Sequence, residues 1–403
     1  MNNVITDTKK IDEVLERGTI VEFLPSKEEF RKKLLSGEKL KFYIGFDATA
    51  PTLHLSHAKN FMLMEKFRRL GHEAIILFGD FTARIGDPSG ESSARKQLSR
   101  EEVVKNVEKW KKMVEPLMDF QDTINPPKIM YNNDWLAKLS FEDVINLAGN
   151  FTVQQMLERD MFQKRLKANK PIHLHEFLYP LMQGFDSVAM DVDVEVCGTD
   201  QIFNALTGRT LLRKLKNKDK FVVAVTLMEN PKTGELMSKS KGTGVFLDVL
   251  PQDMYGQIMA QPDEMIEILF VNCTLLPLEE IEKYMKLENP RDAKMRLAFE
   301  ITKIFHGNDI ASKAQTHFIN TIQNKQTPTK LKEIIIKSSK PNIVDLLIES
   351  NLVSSKTEAR RLVAQNGIKI DGKNINDLDN IEIPKNGVIL QKGKRYFVKI
   401  TTG

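Results

Sequence analysis

The spacing of hydrophobic residues changes along the chain, and each change predicts an element. Leu40 to Phe46 is a short apolar run of the kind that fills a buried strand. After Asp47 to Pro51 the period lengthens: Leu55, Ala58, Phe61, Met62, Phe67 and Leu70 recur at helical spacing. Lys59, Lys66 and Arg69 take the polar positions of that helix, and Gly71 stands where it ends. Ala74 to Phe78, stopped by Gly79, predicts a second buried strand and completes a strand, helix, strand unit. A second such unit is predicted far downstream. There Val192, Val194 and Val196 alternate with acids, a helical stretch runs to about Leu215, and Phe221 to Leu227 is rich in β-formers. Two halves of a sheet separated by a mainly helical segment, about residues 92–190, predict an α/β fold: a Rossmann-like parallel sheet with a helical insertion.

From Pro251 to about Thr321 the pattern is helical, with Pro262, Pro277 and Pro290 near helix boundaries. The polar stretch 324–330 reads as a linker. Beyond it Ile343 to Glu349 and Lys356 to Gln365 predict two short helices, and Gly367 to Ile370, Ile381 to Ile383 and Arg395 to Ile400 predict small strands. The expected domains are therefore residues 1–245 (the sheet), 246–330 (helical, with the linker) and 331–403 (a small α+β module).

Composition narrows the class. A chain of 403 residues with 41% hydrophobic content exceeds one typical domain. No run approaches the roughly 20 apolar residues of a membrane span, and Met1 to Lys10 is too polar for a secretory segment, so a cytoplasmic protein is expected. Cys197 and Cys273 lack the spacing of a disulfide framework or a zinc site, and both are expected to be buried. The net charge of +5 lies in the tail: residues 331–403 carry 13 Lys plus Arg against 8 Asp plus Glu. A basic module on a neutral body suggests a polyanionic partner, although a solvated basic face has the same composition.

Two local patterns carry candidate chemistry. His54-Leu55-Ser56-His57 places two imidazoles where the chain enters a helix, whose N–H groups and positive dipole end suit ATP phosphates. Gly234 to Gly244, GELMSKSKGTG, follows the last strand of the sheet and offers a cationic loop able to close over polyphosphate. Each alone is an ordinary feature of surfaces, but the pair in this order is specific.

HLSH resembles the HIGH signature, and LMSKS the KMSKS loop, of class I aminoacyl-tRNA synthetases. The segments YIGFDATAPTLHLSH, GDFTARIGDPSG, NFTVQQMLERDMF, HEFLYPLMQGFDSVAM and GTDQIFNALTGR resemble bacterial tyrosyl-tRNA synthetases. IVDLLIESNLVSSKTEARRLVAQNGIKIDG is similar to the S4 RNA-binding domain that ends these enzymes. The resemblance implies tyrosine activation with ATP and transfer to the 3′ end of tRNA(Tyr). ATP would be a substrate accompanied by Mg2+, with no prosthetic group and no resident metal. The assembly would be a homodimer built through about Leu117 to Met190.

It also implies site residues. Tyr43 and Asp186 would read the tyrosine phenol, Tyr179, Asp87 and Gln183 would hold the ammonium, and Gln201 would lie beside the carboxylate. Tyr179, Gln183 and Asp186 share one helix face by their spacing. Gly198 and Asp200 would bind the ATP ribose; Thr49, His54 and Lys239 the departing pyrophosphate; His57 the region near the adenine; Arg95 would act from a loop. In the tail, Lys356, Arg360 and Arg361, at helical spacing, with Lys369, Lys392, Lys394 and Arg395 would contact the tRNA backbone.

Three positions depart from the family pattern: Ser56 replaces a glycine, Leu236 replaces the first lysine of the loop, and Glu91 stands where a related branch has a lysine. The first two motivate an alternative, a paralogue that binds RNA with weak catalysis. A tryptophanyl-tRNA synthetase or a nucleotidylyltransferase is a further rival, opposed by Tyr43 with Asp186 and by the S4-like tail.

Overall fold

Apolar runs that bury side chains on both faces become strands of a single sheet, because helices cover each face of a parallel sheet. The computed structural model describes residues 4–88, 98–237, 243–323, 331–336, 338–375, 377–384, 386–393 and 396–402, in two units, Met1–Asn308 and Asp309–Gly403. The first unit holds β1 (Ile20–Leu24), β2 (Lys41–Phe46), β3 (Glu73–Phe78), β4 (Lys128–Tyr131), β5 (Val194–Gly198) and β6 (Phe221–Val225). Their order is β1-β6-β5-β2-β3-β4; β1 runs antiparallel to β6 and every other pair is parallel. From β2 the chain crosses to β3 on one side, and from β5 to β6 on the other. The reversal between β2 and β5 opens a crevice beyond their carboxyl ends, the usual ligand position in such sheets.

β1 and β4 are strands that the hydrophobic pattern did not mark. Both are short and half-exposed, so neither offers enough apolar periodicity to be read, and β4 lies inside the segment expected to be mainly helical.

Helix α1 (Leu55–Arg69) leaves the end of β2, and Gly71 adopts φ +96° just beyond it. Lys59, expected on the polar face, is only 2% exposed, and its ammonium donates to Asn60 Oδ1 at 2.8 Å. The reason is tertiary: helix Ile266–Cys273 packs against α1 from far along the chain. Helix α2 (Arg100–Val114) is tied to the loop after β2 by Asn106 Nδ2 donating to Ala48 O and Trp110 Nε1 to Ala50 O, each at 2.8 Å.

Helices α3 (Tyr179–Met190) and α4 (Ile202–Lys216) pack through glycines. A Cβ on Gly184 would stand 3.1 Å from the Gly208 nitrogen, so this approach needs both to lack side chains. Downstream, Pro251 and Pro290 open helices Pro251–Met259 and Pro290–His306, and Pro277 caps Leu278–Met285, where a missing N–H costs nothing. Cys197 and Cys273 are both buried and unbridged.

The second unit contains a five-stranded sheet of β7 (Lys332–Ile336), β8 (Ile368–Ile370), β9 (Lys373–Asn374), β10 (Val388–Lys392) and β11 (Tyr396–Thr402), ordered β7-β11-β10-β8-β9. Helices Ile343–Glu349 and α5 (Lys356–Ala364) pack on it, burying Ile343, Leu346, Leu347, Ala359 and Val363 against Ile368, Leu390 and Ile400. Ile381 to Ile383 is not a strand of this sheet. Its amides donate to the loop carbonyls of Pro341 and Ser339, at 2.8 Å each, and β10 takes the central place. The linker expected at 324–330 lies outside the described residues.

Candidate active site

Parallel pairing sets Tyr43 of β2 beside Glu195 of β5 at the heart of the sheet. Both are 1% exposed. The Tyr43 hydroxyl shares a 3.0 Å hydrogen bond with Ser187 Oγ of α3. Ser187 Oγ also accepts from Lys220 Nζ at 2.6 Å, and Lys220 forms an ion pair with Glu195. The second oxygen of Glu195 accepts from Gln183 Nε2 at 3.0 Å. Lys220 reaches this point because Gly208 leaves space, since a Cβ there would stand 2.7 Å from its Nζ. Burial, followed by the negative charge of Glu195, pushes the Tyr43 phenol well above its usual pKa, so it stays a neutral hydroxyl.

Asp186, 3% exposed, accepts from Trp135 Nε1 at 2.7 Å and from Asn132 Nδ2 at 3.3 Å. Burial outweighs both donors and holds its carboxyl well above the ordinary carboxylate range. One helical turn and more away on the same face, Tyr179 donates its hydroxyl to Asp47 Oδ2 at 2.9 Å, and Thr82 Oγ1 donates to Asp47 Oδ1 at 2.7 Å. A second chain of bonds runs toward α4. Gln201 Nε2 donates to Asp87 Oδ2 at 2.7 Å and to Asp200 Oδ2 at 3.0 Å, while Asn204 Nδ2 donates to both Gln201 Oε1 and Gln183 Oε1, at 2.8 and 3.0 Å. The structure therefore brings Tyr43, Gln183, Asp87 and Gln201 into one connected network, with Tyr179 and Asp186 on the helix face that Gln183 shares.

The other side of the crevice is less furnished. His54 is the N-cap of α1, and its backbone N–H donates to His57 Nδ1 at 3.4 Å, leaving the Nε2 of a neutral His57 as the donor. Burial lowers the His54 pKa to about 4, and burial with the neighbouring His54 lowers that of His57 to about 3. His54 Nδ1 is buried with no hydrogen-bond partner. Thr49 and Asp200 are exposed, and Gly198 caps the short turn Thr199–Gln201, where a Cβ would run into Asp200. The chain beyond the cationic loop is stitched to the His54 segment: Leu55 N donates to Val245 O and Leu247 N to Leu53 O, both at 3.0 Å. Within the first part of the loop, Met237 N donates to Met228 O at 2.8 Å, and Leu236 is 47% exposed. Lys239, Arg95 and Glu91 lie outside the described residues.

Sequence reasoning missed Asp47, Asn132, Trp135, Ser187, Glu195, Asn204 and Lys220. Their partners lie up to 144 residues away, as for Tyr43 and Ser187, and no local spacing announces such pairs. Arg159 was missed too; it is 7% exposed, and burial lowers its pKa while the negative charge of Asp87 opposes that shift.

In the second unit, Lys356, Arg360 and Arg361 are exposed on α5 and Lys369 is half-buried on β8, while Lys356 forms a 3.0 Å ion pair with Asp345. Lys392 turns inward, donating to Leu352 O at 2.6 Å and to Glu358 at 3.2 Å. Lys394 and Arg395 are outside the described residues.

A Rossmann-like sheet with histidines at the helix after β2 and a polar network at the switch point defines a class I tRNA synthetase. The model of tRNA synthetases class I (W and Y) matches residues 35–323, and that of a tyrosine–tRNA ligase SYY-like C-terminal domain matches residues 323–400. The tyrosine–tRNA ligase of Thermotoga maritima is 42% identical over 94% of this chain and 95% of its own length. That of Moorella thermoacetica is 39% identical over 96% and 95%. Among solved structures, a tyrosyl-tRNA synthetase complexed with L-tyrosine from Archaeoglobus fulgidus shares the fold, with a TM-score of 0.59 at 19% identity over 76% of this chain and 99% of that one. A C-terminally truncated mitochondrial tyrosyl-tRNA synthetase from Coccidioides posadasii does so with a TM-score of 0.62 at 24% identity, covering 76% and 91%. The chain belongs to the tyrosine–tRNA ligase family. Among the described residues, no helix is long and apolar enough to cross a membrane.

Proposed function

We propose that this chain is a tyrosine–tRNA ligase, which activates L-tyrosine with ATP and passes the tyrosyl group to the 3′ end of tRNA(Tyr). The observation that carries the reading is the buried polar cluster at the switch point: Asp186 held by Trp135 and Asn132, with the Tyr43 hydroxyl on β2. Such a cluster rewards a ligand that brings a hydroxyl and penalises one that leaves these groups unpaired, so phenylalanine is rejected.

In this reading Tyr43 and Asp186 hold the phenol, Tyr179, Asp87 and Gln183 hold the ammonium, and Gln201 lies by the carboxylate. Gly198 and Asp200 take the ribose, because glycine lets the backbone approach and a carboxylate accepts from a sugar hydroxyl. A tyrosine carboxylate oxygen attacks the α-phosphorus in line; the bond to pyrophosphate breaks as the new one forms. A terminal ribose hydroxyl then attacks the tyrosyl carbonyl, and AMP leaves with the bonding pair. Thr49, His54, His57 and Lys239 serve as donors to charge that grows on the phosphates, with Mg2+ entering as MgATP. The imidazoles act as neutral donors, since burial lowers both pKa values far below neutrality. No protein nucleophile and no prosthetic group is needed.

The reading divides the chain into a catalytic part, residues 1–245, a helical part, 246–330, and an RNA-binding part, 331–403, whose Lys356, Arg360 and Arg361 present an exposed basic face. It also expects a cytoplasmic homodimer. Supporting that assembly, Phe141 (81%), Val153 (63%) and Leu174 (79%) leave large apolar side chains exposed within the expected interface segment. A monomer by gel filtration with light scattering at micromolar concentration would sink the dimer. The reaction is tested by tyrosine-dependent ATP–pyrophosphate exchange: exchange with tyrosine, and not with phenylalanine or tryptophan, is expected, and none with any of the three overturns the reading.

A further inference from the structure

Arg159 precedes helix Asp160–Lys167 in the insertion and is 7% exposed. Its guanidinium lies 5.6 Å from the Phe162 ring centroid and 5.2 Å from that of Phe203, so two aromatic faces support it. The guanidinium takes part in no hydrogen bond or ion pair among the described residues, and Nη1 is buried without a partner. The groups whose charge reaches it are Asp87, Tyr179, Asp200 and Glu176, in that order, which places it beside the active-site network. None of these carboxylates engages it: Asp87 and Asp200 both accept from Gln201, and Glu176 is occupied by Arg165.

An always-charged, desolvated guanidinium without a counter-ion is costly, and ring stacking returns only part of that cost. Its planar fork matches two oxygens of a phosphate or of a carboxylate, and the reaction brings both to the site. The tyrosine carboxylate already has Gln201 as its neighbour in the proposed reading.

On that reading, we propose that Arg159 is a phosphate-binding residue of this site, its unpaired Nη1 and neighbouring guanidinium N–H groups donating to the non-bridging oxygens of one phosphate group. Two substrates bring such a phosphate, ATP through its α-phosphoryl group and tRNA through the phosphodiester of its terminal nucleotide. The guanidinium supplies charge and direction and takes no part in bond making.

Arg159→Gln and Arg159→Lys separate these sources in two assays on the full-length enzyme: tyrosine-dependent pyrophosphate exchange without tRNA, and single-turnover transfer from preformed tyrosyl-adenylate to tRNA. Loss of exchange by tenfold or more in Arg159→Gln assigns the α-phosphoryl group; retained exchange with a comparable loss in transfer assigns the phosphodiester. Arg159→Lys is expected to recover only part of the loss, because it restores charge without the fork. The melting temperature of unliganded Arg159→Gln is expected to equal or exceed that of the wild type, since the substitution removes a buried, unpaired charge; a merely structural arginine would lower it. Exchange and transfer both within twofold of wild type in Arg159→Gln, or in Arg159→Lys should the first variant fail to fold, overturn the inference alone. A wild type silent in exchange overturns the tyrosine–tRNA ligase reading and, with it, the inference.

Discussion

The two sides of the crevice are built differently. On the side proposed to hold tyrosine, Tyr43, Asp186 and Glu195 are 1%, 3% and 1% exposed, and every one is hydrogen-bonded within the protein. On the side proposed to hold the nucleotide, Thr49 and Asp200 are exposed and His54 Nδ1 is buried without a partner. A polar pocket whose main groups are already held by hydrogen bonds is rigid and selective, because a ligand must fit donors and acceptors fixed in place. A half-bonded surface acquires partners only when the nucleotide arrives, so its contacts can be strongest where charge develops during the reaction. On the proposed reading, selectivity belongs to the sheet centre and rate to the end of α1.

Removing His54 tests that division with the largest effect. His54→Ala is expected to lower kcat for pyrophosphate exchange by about 100-fold or more, the usual cost of losing one preorganised donor to transition-state charge. Tyrosine affinity by equilibrium dialysis is expected to stay within about threefold. Equal losses in both would show that the two sides are not separable. Tyr43→Phe makes the complementary break. It removes a donor to the phenol and leaves Ser187 without that partner, so the tyrosine-over-phenylalanine ratio of kcat/KM is expected to fall by roughly 10- to 100-fold. A ratio unchanged by Tyr43→Phe would place the selectivity on Asp186 alone.

The same contrast explains what could be read in the sequence. The nucleotide side is made of contiguous words, HLSH after a strand and GTDQ after another, and its residues were legible because strand ends and helix starts announce themselves locally. The tyrosine side is assembled across the fold. Trp135 and Asn132 come from the insertion after β4, a four-residue, half-exposed strand too short to show in the pattern. Glu195 sits in an alternating Val-Glu-Val run, which reads as a half-solvated strand; its partner Lys220 lies just before β6 and shows its role only once the strands pair. Lys59 was misplaced for the same reason, since the helix covering it comes from residues 266–273.

Acid sharpens the comparison further. His54 and His57 have pKa values lowered from the usual 6.5 to about 4 and about 3, so between pH 6.5 and these values the unfolded chain binds protons that the folded one refuses. Their contribution to stability is complete above pH 6.5 and falls as the pH drops through that window. Asp186, with a raised pKa, acts in the opposite sense, so the sign is carried by the comparison of wild type with His57→Asn. The melting temperature of the wild type is expected to fall more steeply from pH 6.5 to 4.5 than that of His57→Asn, by roughly 2–4 °C over the window. Parallel curves would mean that His57 is already charged in the fold.

The smallest expected effect comes from restoring the missing cation. Leu236, near the start of the loop, is 47% exposed and bridges to Glu229, so Leu236→Lys disturbs no buried packing. A charge added at an exposed position is screened by water and salt, and its attraction for polyphosphate is worth about 0–1 kcal/mol. The kcat for exchange is therefore expected to rise by no more than about fivefold, with the gain shrinking at high ionic strength and KM for tyrosine unmoved. Because the tyrosine side is complete without this lysine, any shift in tyrosine KM would show that the loop reaches across the crevice. A gain well beyond fivefold would show instead that the end of α1 lacks a cation the reaction needs, and that the nucleotide side limits the rate of this enzyme.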